Sequence, residues 1–333
     1  MHNFNSSLEK ARIIVPKSLL IFISTVLLVF MGSCSQSSKS SLVSITRLAQ
    51  LGKPPAAEIL WSPVDQNKLL VSAGYANYNG GENYILNLET GKKQVLAQAD
   101  RGFLGIRTWS PDGNSIIMAV DRYTNGFEQD GLWEVNVIDG TSTFLQTEWN
   151  RMIWGPEEGK LTVEESEETQ SGKDKVKLVL VDSATREETM IFETGPDQTI
   201  LGFSWSPNGE QLVFSMGGLS PNDEFDIYVL DVQSGKVEQI TEEGNNKYPV
   251  WSPVANLIVY VDKTIDRNRE VFSLHLIDPR GICDIELYSS DFLLSPTWSP
   301  DGNFLAFIEP NENGIFVANI RDFLADDYEK WCQ

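Results

Sequence analysis

Histidine and cysteine are nearly missing from this 333-residue chain, which has two of the first and three of the second. Zinc and iron–sulfur sites need clusters of such ligands, and no Cys-x-x-Cys pair or Cys/His cluster occurs. A Ser-His-Asp relay needs a histidine base, and the chain offers only His2, near its start, and His275. The Gly-x-Ser-x-Gly elbow of α/β-hydrolases is absent; Gly202-Phe203-Ser204-Trp205-Ser206 comes nearest and lacks the last glycine. Basic residues are scarce too, 26 Lys and Arg against 47 Asp and Glu, for a formal net charge of −21. Nucleic-acid backbones require clustered Lys and Arg, so no nucleic-acid partner is expected. These shortages leave no positive sign of catalysis and no cofactor.

What the chain has is a repeat. Trp298-Ser299-Pro300-Asp301-Gly302 leads into the apolar run Phe304-Leu305-Ala306-Phe307-Ile308, and Trp109-Ser110-Pro111-Asp112-Gly113 repeats it. Variants stand at Trp61-Ser62-Pro63, Trp154-Gly155-Pro156, Trp205-Ser206-Pro207-Asn208-Gly209 and Trp251-Ser252-Pro253. The steps between these tryptophans are 48, 45, 51, 46 and 47 residues, a period that signals stacked or radial units. The best unit, 201–241, reads as four strands. Strand a is Leu201 to Ser206, and Ser206-Pro207-Asn208-Gly209 forms a type I turn. Strand b follows at Gln211 to Ser215, c at Asp226 to Val232, and d at Val237 to Thr241. The sixth unit lacks strand d, because 321–333 reads as an amphipathic tail with Phe323, Leu324, Tyr328 and Trp331. Ser41 to Leu48 resembles a strand d with no a, b or c of its own, so it is expected to complete the last sheet and close the ring. The expected fold is all-β, a six-bladed β-propeller of four-stranded antiparallel blades over 42–320.

The Trp-Ser-Pro-Asp-Gly turn, the apolar strand behind it and the Tyr228-Val229-Leu230-Asp231-Val232 strand with its Ser-Gly turn resemble the TolB-type propeller repeat. The likeness runs from Leu42 to Ile320, and similar repeats occur in prolyl-oligopeptidase-like enzymes. Those enzymes carry a hydrolase domain, and only 13 residues follow Ile320 here. The separate N-terminal domain of TolB is also absent. The resemblance implies a fold far more strongly than a function.

The first 33 residues read as a targeting segment: Lys10, Arg12 and Lys17 precede a 14-residue apolar run from Ser18 to Met31. Met31-Gly32-Ser33-Cys34 then resembles a bacterial lipobox, and 34–41 is a polar tether. That resemblance implies lipidation at Cys34 and a membrane-anchored, extracytoplasmic protein in the cell envelope. A plain secretory signal and an uncleaved anchor extended by Ile13 to Val15 are the alternatives. Removing residues 1–33, which carry +3 and −1, takes the net charge to −23. Cys283 and Cys332 remain, either as one disulfide or as two thiols.

In a four-stranded meander the a–b and c–d turns share one face. Here those turns are short, and the b–c connections on the other face read as long loops: Gly74 to Glu82, Asp121 to Gly131, Glu164 to Lys175, Met216 to Glu224 and Asp262 to Glu270. That face carries Tyr75, Tyr78, Tyr123, Phe127, Trp149, Arg151, Arg267 and Arg269, residue types that anchor interfaces. Alternatively the aromatics plug the channel mouth or pack between blades. His275 reads as filling the strand c slot of Asn87, Asn136, Asp231 and Asn319, a structural place. Most carboxylates fall at turns (Asp112, Asp139, Asp301) or in the solvated Glu164, Glu165, Glu167, Glu168 run, so no metal site is expected; calcium in the central channel is the remaining option. The expected function is a monomeric, lipid-anchored propeller that binds a protein or peptide partner through its long-loop face. The alternatives are a carbohydrate-binding or hydrolytic propeller with carboxylates at the channel, or a scaffold without small ligand. Buried carboxylates converging at the channel mouth would favour the enzyme or glycan reading.

Overall fold

The computed structural model describes residues 43–50, 56–74, 80–101, 104–121, 124–146, 151–155, 157, 159–168, 174–219, 224–242, 244–312 and 314–326. Their strands form six four-stranded antiparallel sheets, the blades of a six-bladed propeller. Blade 1 is β2 (Ala56–Trp61), β3 (Lys68–Ala73), β4 (Gly81–Asn87) and β5 (Lys93–Ala99). Blade 2 is β6 (Leu104–Trp109), β7 (Ser115–Val120), β8 (Gly131–Asn136) and β9 (Ser142–Gln146). Blade 3 is β10 (Met152–Trp154), β11 (Lys160–Glu168), β12 (Asp174–Asp182) and β13 (Glu188–Glu193). Blade 4 is β14 (Gln198–Trp205), β15 (Gln211–Gly218), β16 (Phe225–Asp231) and β17 (Val237–Gln239). Blade 5 is β18 (Lys247–Trp251), β19 (Ile258–Asp266), β20 (Arg269–Ile277) and β21 (Asp284–Ser290). Blade 6 is β22 (Leu294–Trp298), β23 (Phe304–Glu309) and β24 (Gly314–Asn319), completed by the N-terminal β1 (Ser44–Gln50), which pairs from Ser44 with Asn319 to Gln50 with Gly314. The expected closure is therefore observed. Both faces of each sheet are buried against neighbours, so the apolar runs fill six clusters, one at each blade–blade interface.

The repeated turn is built from its own residues. Gly113 N donates to Ser110 O at 2.9 Å, and Gly113 takes φ 69°. Ser110 Oγ accepts from Ser115 N (2.9 Å) and donates to Asp112 (2.6 Å), whose carboxylate also accepts from Asn114 N. Ser299, Asp301, Asn303 and Phe304 repeat this network in blade 6. A Cβ on Gly113 would meet Val64 of blade 1 at 2.5 Å, so glycine serves both the turn and the approach of the preceding blade. The tryptophans tie blades together. Trp109 Nε1 donates to Leu60 O in blade 1, Trp205 to Thr162 Oγ1 in blade 3, and Trp298 to Val250 O in blade 5.

Three expectations are corrected. Two of the long loops are extended hairpins: β11 runs on to Glu168 before β12 resumes at Asp174, and β19 and β20 are joined by Arg267 and Asn268 alone. Both of those residues have positive φ, 49° and 66°, the conformation of a type I′ hairpin turn, which Arg-Asn announces less plainly than Asn-Gly. The Met216 to Glu224 loop is likewise shortened, since β15 continues to Gly218. Finally, His275 does not occupy the Asn/Asp slot. Asn87, Asn136, Asp182 and Asp231 cap the strand c to d turn from that slot, and in blade 5 the cap is Asp278, which accepts from Ile282 N and Cys283 N. The tail forms a helix α1 (Arg321–Asp326), whose Phe323 and Leu324 pack onto the blade 5–6 cluster; Tyr328 and Trp331 lie outside the described residues.

Candidate functional site

A propeller's innermost strands each pair on one edge only, and their other edges face the axis. Unpaired edges cost free energy when buried and invite foreign strands when open. Here side chains of the preceding blade bond to the inner strands of blades 1, 2, 4 and 5. Ser295 Oγ and Thr297 Oγ1 accept from Ile59 N and Trp61 N, both at 3.1 Å. Glu58 accepts from Ile106 N at 3.3 Å, Arg151 Nη1 donates to Ile200 O at 2.9 Å, and Ser204 Oγ accepts from Trp251 N at 3.1 Å.

The strands enclose an axial cavity of about 650 Å³. Its lining is set three residues before each tryptophan, by Glu58, Ile106, Arg151, Gly202, Tyr248 and Ser295. β-Bulges interrupt the pairing at or beside this position in blades 1, 2, 4, 5 and 6. Gly202, Tyr248 and Ser295 stand there with φ of 95°, 56° and 55°. Left-handed backbone at a tyrosine and a serine is strained, and such strain gathers where side chains must be aimed.

The cavity has two halves. Blades 1 to 3 supply Glu58, Arg107 and Arg151 beside Trp61, Trp109 and Trp154, whereas blades 4 to 6 line it with uncharged residues, among them Phe203, Tyr248, Pro249, Leu294 and Pro296. Arg151 forms an ion pair with Glu164 at 2.7 Å. Burial pushes the Glu58 carboxyl above the ordinary range, against the pull of Arg107, the Ile106 hydrogen bond and Arg151. Burial also raises Glu164, opposed by Arg151 and Arg107. Protonation of either carboxyl would leave the guanidinium charges in excess and let this side of the cavity accept an anion.

Of the candidate binding residues that are described, Arg151 reaches this cavity, and Phe127, Arg267 and Arg269 do not. Phe127 packs edge-on against Trp133, with ring centres 5.2 Å apart, in the blade 1–2 cluster. Arg267 and Arg269 are exposed at the β19–β20 tip, where Arg269 pairs with Asp291. Tyr75, Tyr78, Tyr123, Trp149 and Cys34 lie outside the described residues. Sequence reading missed Glu58, Arg107 and Tyr248. The signal was present in the alignment on tryptophan, because the third residue before it differs in every unit. Among the described residues no group of three His, Cys, Asp or Glu side chains could hold a metal, and no helix is long and apolar enough to cross a membrane. Cys283 is disulfide-bonded, with its partner outside the described residues.

No protein-family model matches the chain. Dipeptidyl peptidase 4 of Trichophyton equinum is 29% identical over 101 residues, 26% of this chain, and the match spans 13% of that protein's length. The putative TolB of Agrobacterium tumefaciens superposes with a TM-score of 0.56 at 19% identity, covering 83% of this chain and 96% of that one. Oligogalacturonate lyase of Vibrio parahaemolyticus superposes with a TM-score of 0.55 at 13% identity, covering 85% and 95%. At these identities the likeness is one of fold: this chain is built like the TolB propeller and like the lyase.

Proposed function

We propose that this protein is a binding propeller of the cell envelope, anchored through a lipid on Cys34, that takes a protein or peptide segment into the mouth of its axial cavity. The supporting observation is the two-sided cavity, with guanidinium groups facing an aromatic and prolyl wall. An extended segment carrying a carboxylate beside an apolar side chain satisfies both halves, and the hairpins around the mouth supply further contacts. The likeness to TolB propellers and the disulfide at Cys283 agree with an extracytoplasmic setting, because disulfides persist outside the cytosol. Cross-linking and mass spectrometry in the native envelope test the reading. A partner is expected to cross-link near the cavity mouth, and its recovery is expected to fall about tenfold in Arg151→Ala, the loss of one partly buried charge contact. Equal recovery from Arg151→Ala and Tyr248→Ala variants rejects the cavity as the binding place. The anchor is tested separately by the mass of the mature N-terminus; cleavage anywhere but Ser33–Cys34, or an unmodified Cys34, rejects it.

One observation favours a second reading. Glu58 on the cavity wall and Glu164, paired with Arg151, are half-buried carboxyls raised above their ordinary range and set beside Arg107 and Arg151. That pattern suits binding or cleavage of an acidic sugar, the substrate class in the name of the lyase neighbour. Titration with oligogalacturonate separates the two: saturable binding abolished by Arg151→Ala supports the sugar reading, and no heat of binding removes it.

A further inference from the structure

A second concave site lies away from the axis, in the cleft between blades 4 and 5. Its volume is about 520 Å³. The cleft opens where β17 ends after three residues, between the chain that continues from Gln239 to Asn246 and the facing strands β19 and β20 of blade 5. The chain beyond β17 is held back by Asp226, which accepts from Gln239 Nε2 (3.0 Å), Thr241 Oγ1 (3.0 Å) and Asn246 Nδ2 (3.1 Å).

The blade 5 wall differs from the same place in its two neighbours. Nine residues after the tryptophan, blades 4 and 6 pair an aromatic of strand b with an aromatic of strand c: Phe214 stacks on Tyr228 in blade 4 (5.8 Å, 17°) and Phe307 on Phe316 in blade 6 (6.1 Å, 17°). In blade 5 the same two places hold Tyr260 and His275, 5.1 Å apart. The Asp284 carboxylate accepts from the Tyr260 hydroxyl at 2.6 Å and binds His275 Nδ1 at 2.9 Å. Exchanging an apolar stack for a hydrogen-bonded trio gains little stability, since desolvating a carboxylate offsets what its bonds return. A polar trio that opens on a cleft has a use when something enters the cleft.

The lining specifies what enters. Acceptors outnumber donors: Glu242, Asp262 and Asp284 present carboxylates, while the lone guanidinium, Arg280, is tied to Asp278 at 2.8 Å. Burial pushes the Asp262 carboxyl above its ordinary range, relieved first by His275, as expected of a carboxylate short of a cation. Between these acceptors the walls are the apolar flanks of Ile240, Ile277 and the Tyr260 ring. We infer that the blade 4–5 cleft binds an alkylammonium group, its methylene stem against Ile240, Ile277 and Tyr260 and its ammonium donating to Asp262 and Glu242. A free diamine and a lysine side chain of another protein carry the same chemistry.

His275 supplies the reporter, since the only other histidine is His2. The full chain with labelled histidine is titrated with cadaverine, with Nα-acetyl-lysine N-methylamide and with the neutral analogue 1,5-pentanediol, following the His275 ring signals. Saturable shifts with an amine and none with the diol are expected. Response to cadaverine alone assigns a free diamine, and response to both assigns a lysine side chain. Asp262→Asn is expected to weaken binding about tenfold and the exposed Glu242→Gln about threefold, losses of an inner and a rim charge contact. The rim variant keeps the test valid if the inner one misfolds. No saturable shift with either amine, or an equal shift with the diol, overturns the inference. Arg151→Ala should leave these shifts unchanged, so the axial cavity and the cleft succeed or fail separately.

Discussion

Three residues apart on each innermost strand, the molecule holds one position where the repeats agree and another where they diverge. The tryptophans Trp61, Trp109, Trp154, Trp205, Trp251 and Trp298 end the strand the same way six times. Three residues earlier stand Glu58, Ile106, Arg151, Gly202, Tyr248 and Ser295, which share no chemistry. The first position packs into the cluster shared with the preceding blade, even where Trp61, Trp109, Trp154 and Trp205 also touch the cavity, and every blade meets a neighbour of the same kind. The second faces the axis, where six side chains meet at one place and each must differ if together they are to form a surface with sides. Repetition therefore marks what holds the ring, and divergence marks what the ring presents.

The sharpest way to test this division is to remove the element that closes the ring. Deleting residues 43–50 strips β1 from β24 and exposes the blade 5–6 and 6–1 clusters that Val43 and Ala49 help to seal. The expected outcome is loss of a cooperative thermal transition, read by calorimetry; an unchanged melting curve would mean that the strand is an ornament. Next in size is Trp109→Ala, which empties a buried aromatic site and breaks the bond to Leu60. It should cost about 3–5 kcal/mol in denaturant unfolding, the usual price of a large-to-small change in a core. Tyr248→Gly, three residues before Trp251, should cost far less and could stabilise the fold, because glycine relieves the positive φ that tyrosine bears. Equal losses at the two positions would erase the distinction between them.

The fold was legible because its signals are local and repeated. Pro at the second turn position, Gly at the fourth, and alternation behind them say the same thing several times over, so the topology and even the strand exchange at the ends could be read. The site was legible only in part. Arg151 stood out as a loop arginine, and Glu164 pairs with it across the β10–β11 hairpin of its own blade, yet Glu58 and Arg107 belong to blades 1 and 2 and share the cavity with it only when the ring closes. The hairpin at Arg267 and Asn268 was hidden for a different reason, since its turn depends on two left-handed residues that Arg does not advertise. His275 was misplaced by three residues, since strand c of blade 5 runs on to Ile277 and the capping role belongs to Asp278.

The smallest effect expected is a matter of sign, and it separates the two regions in a single titration. Asp112, in the repeated turn, is held below the ordinary carboxylate range, chiefly by the Ser110 hydroxyl and then by Asn114. The unfolded chain binds this proton more readily, so the turn's contribution is present at neutral pH and is lost as pH falls below about 4, the unfolded aspartate value. Glu58, in the axial cavity, is raised by burial, so the folded chain binds its proton more tightly. Its contribution is fully present below about 4.3, the unfolded glutamate value, and is lost as pH rises through the raised one. Asp112→Asn should therefore lower the melting temperature at pH 7, and the deficit should shrink on acidification. Glu58→Gln keeps an acceptor for Ile106 N and should match or raise the melting temperature at pH 7, with the advantage fading toward pH 4. Parallel pH profiles for the two variants would show that the axial carboxyl is as well satisfied as the turn carboxyl, and would remove the case for a ligand that completes it.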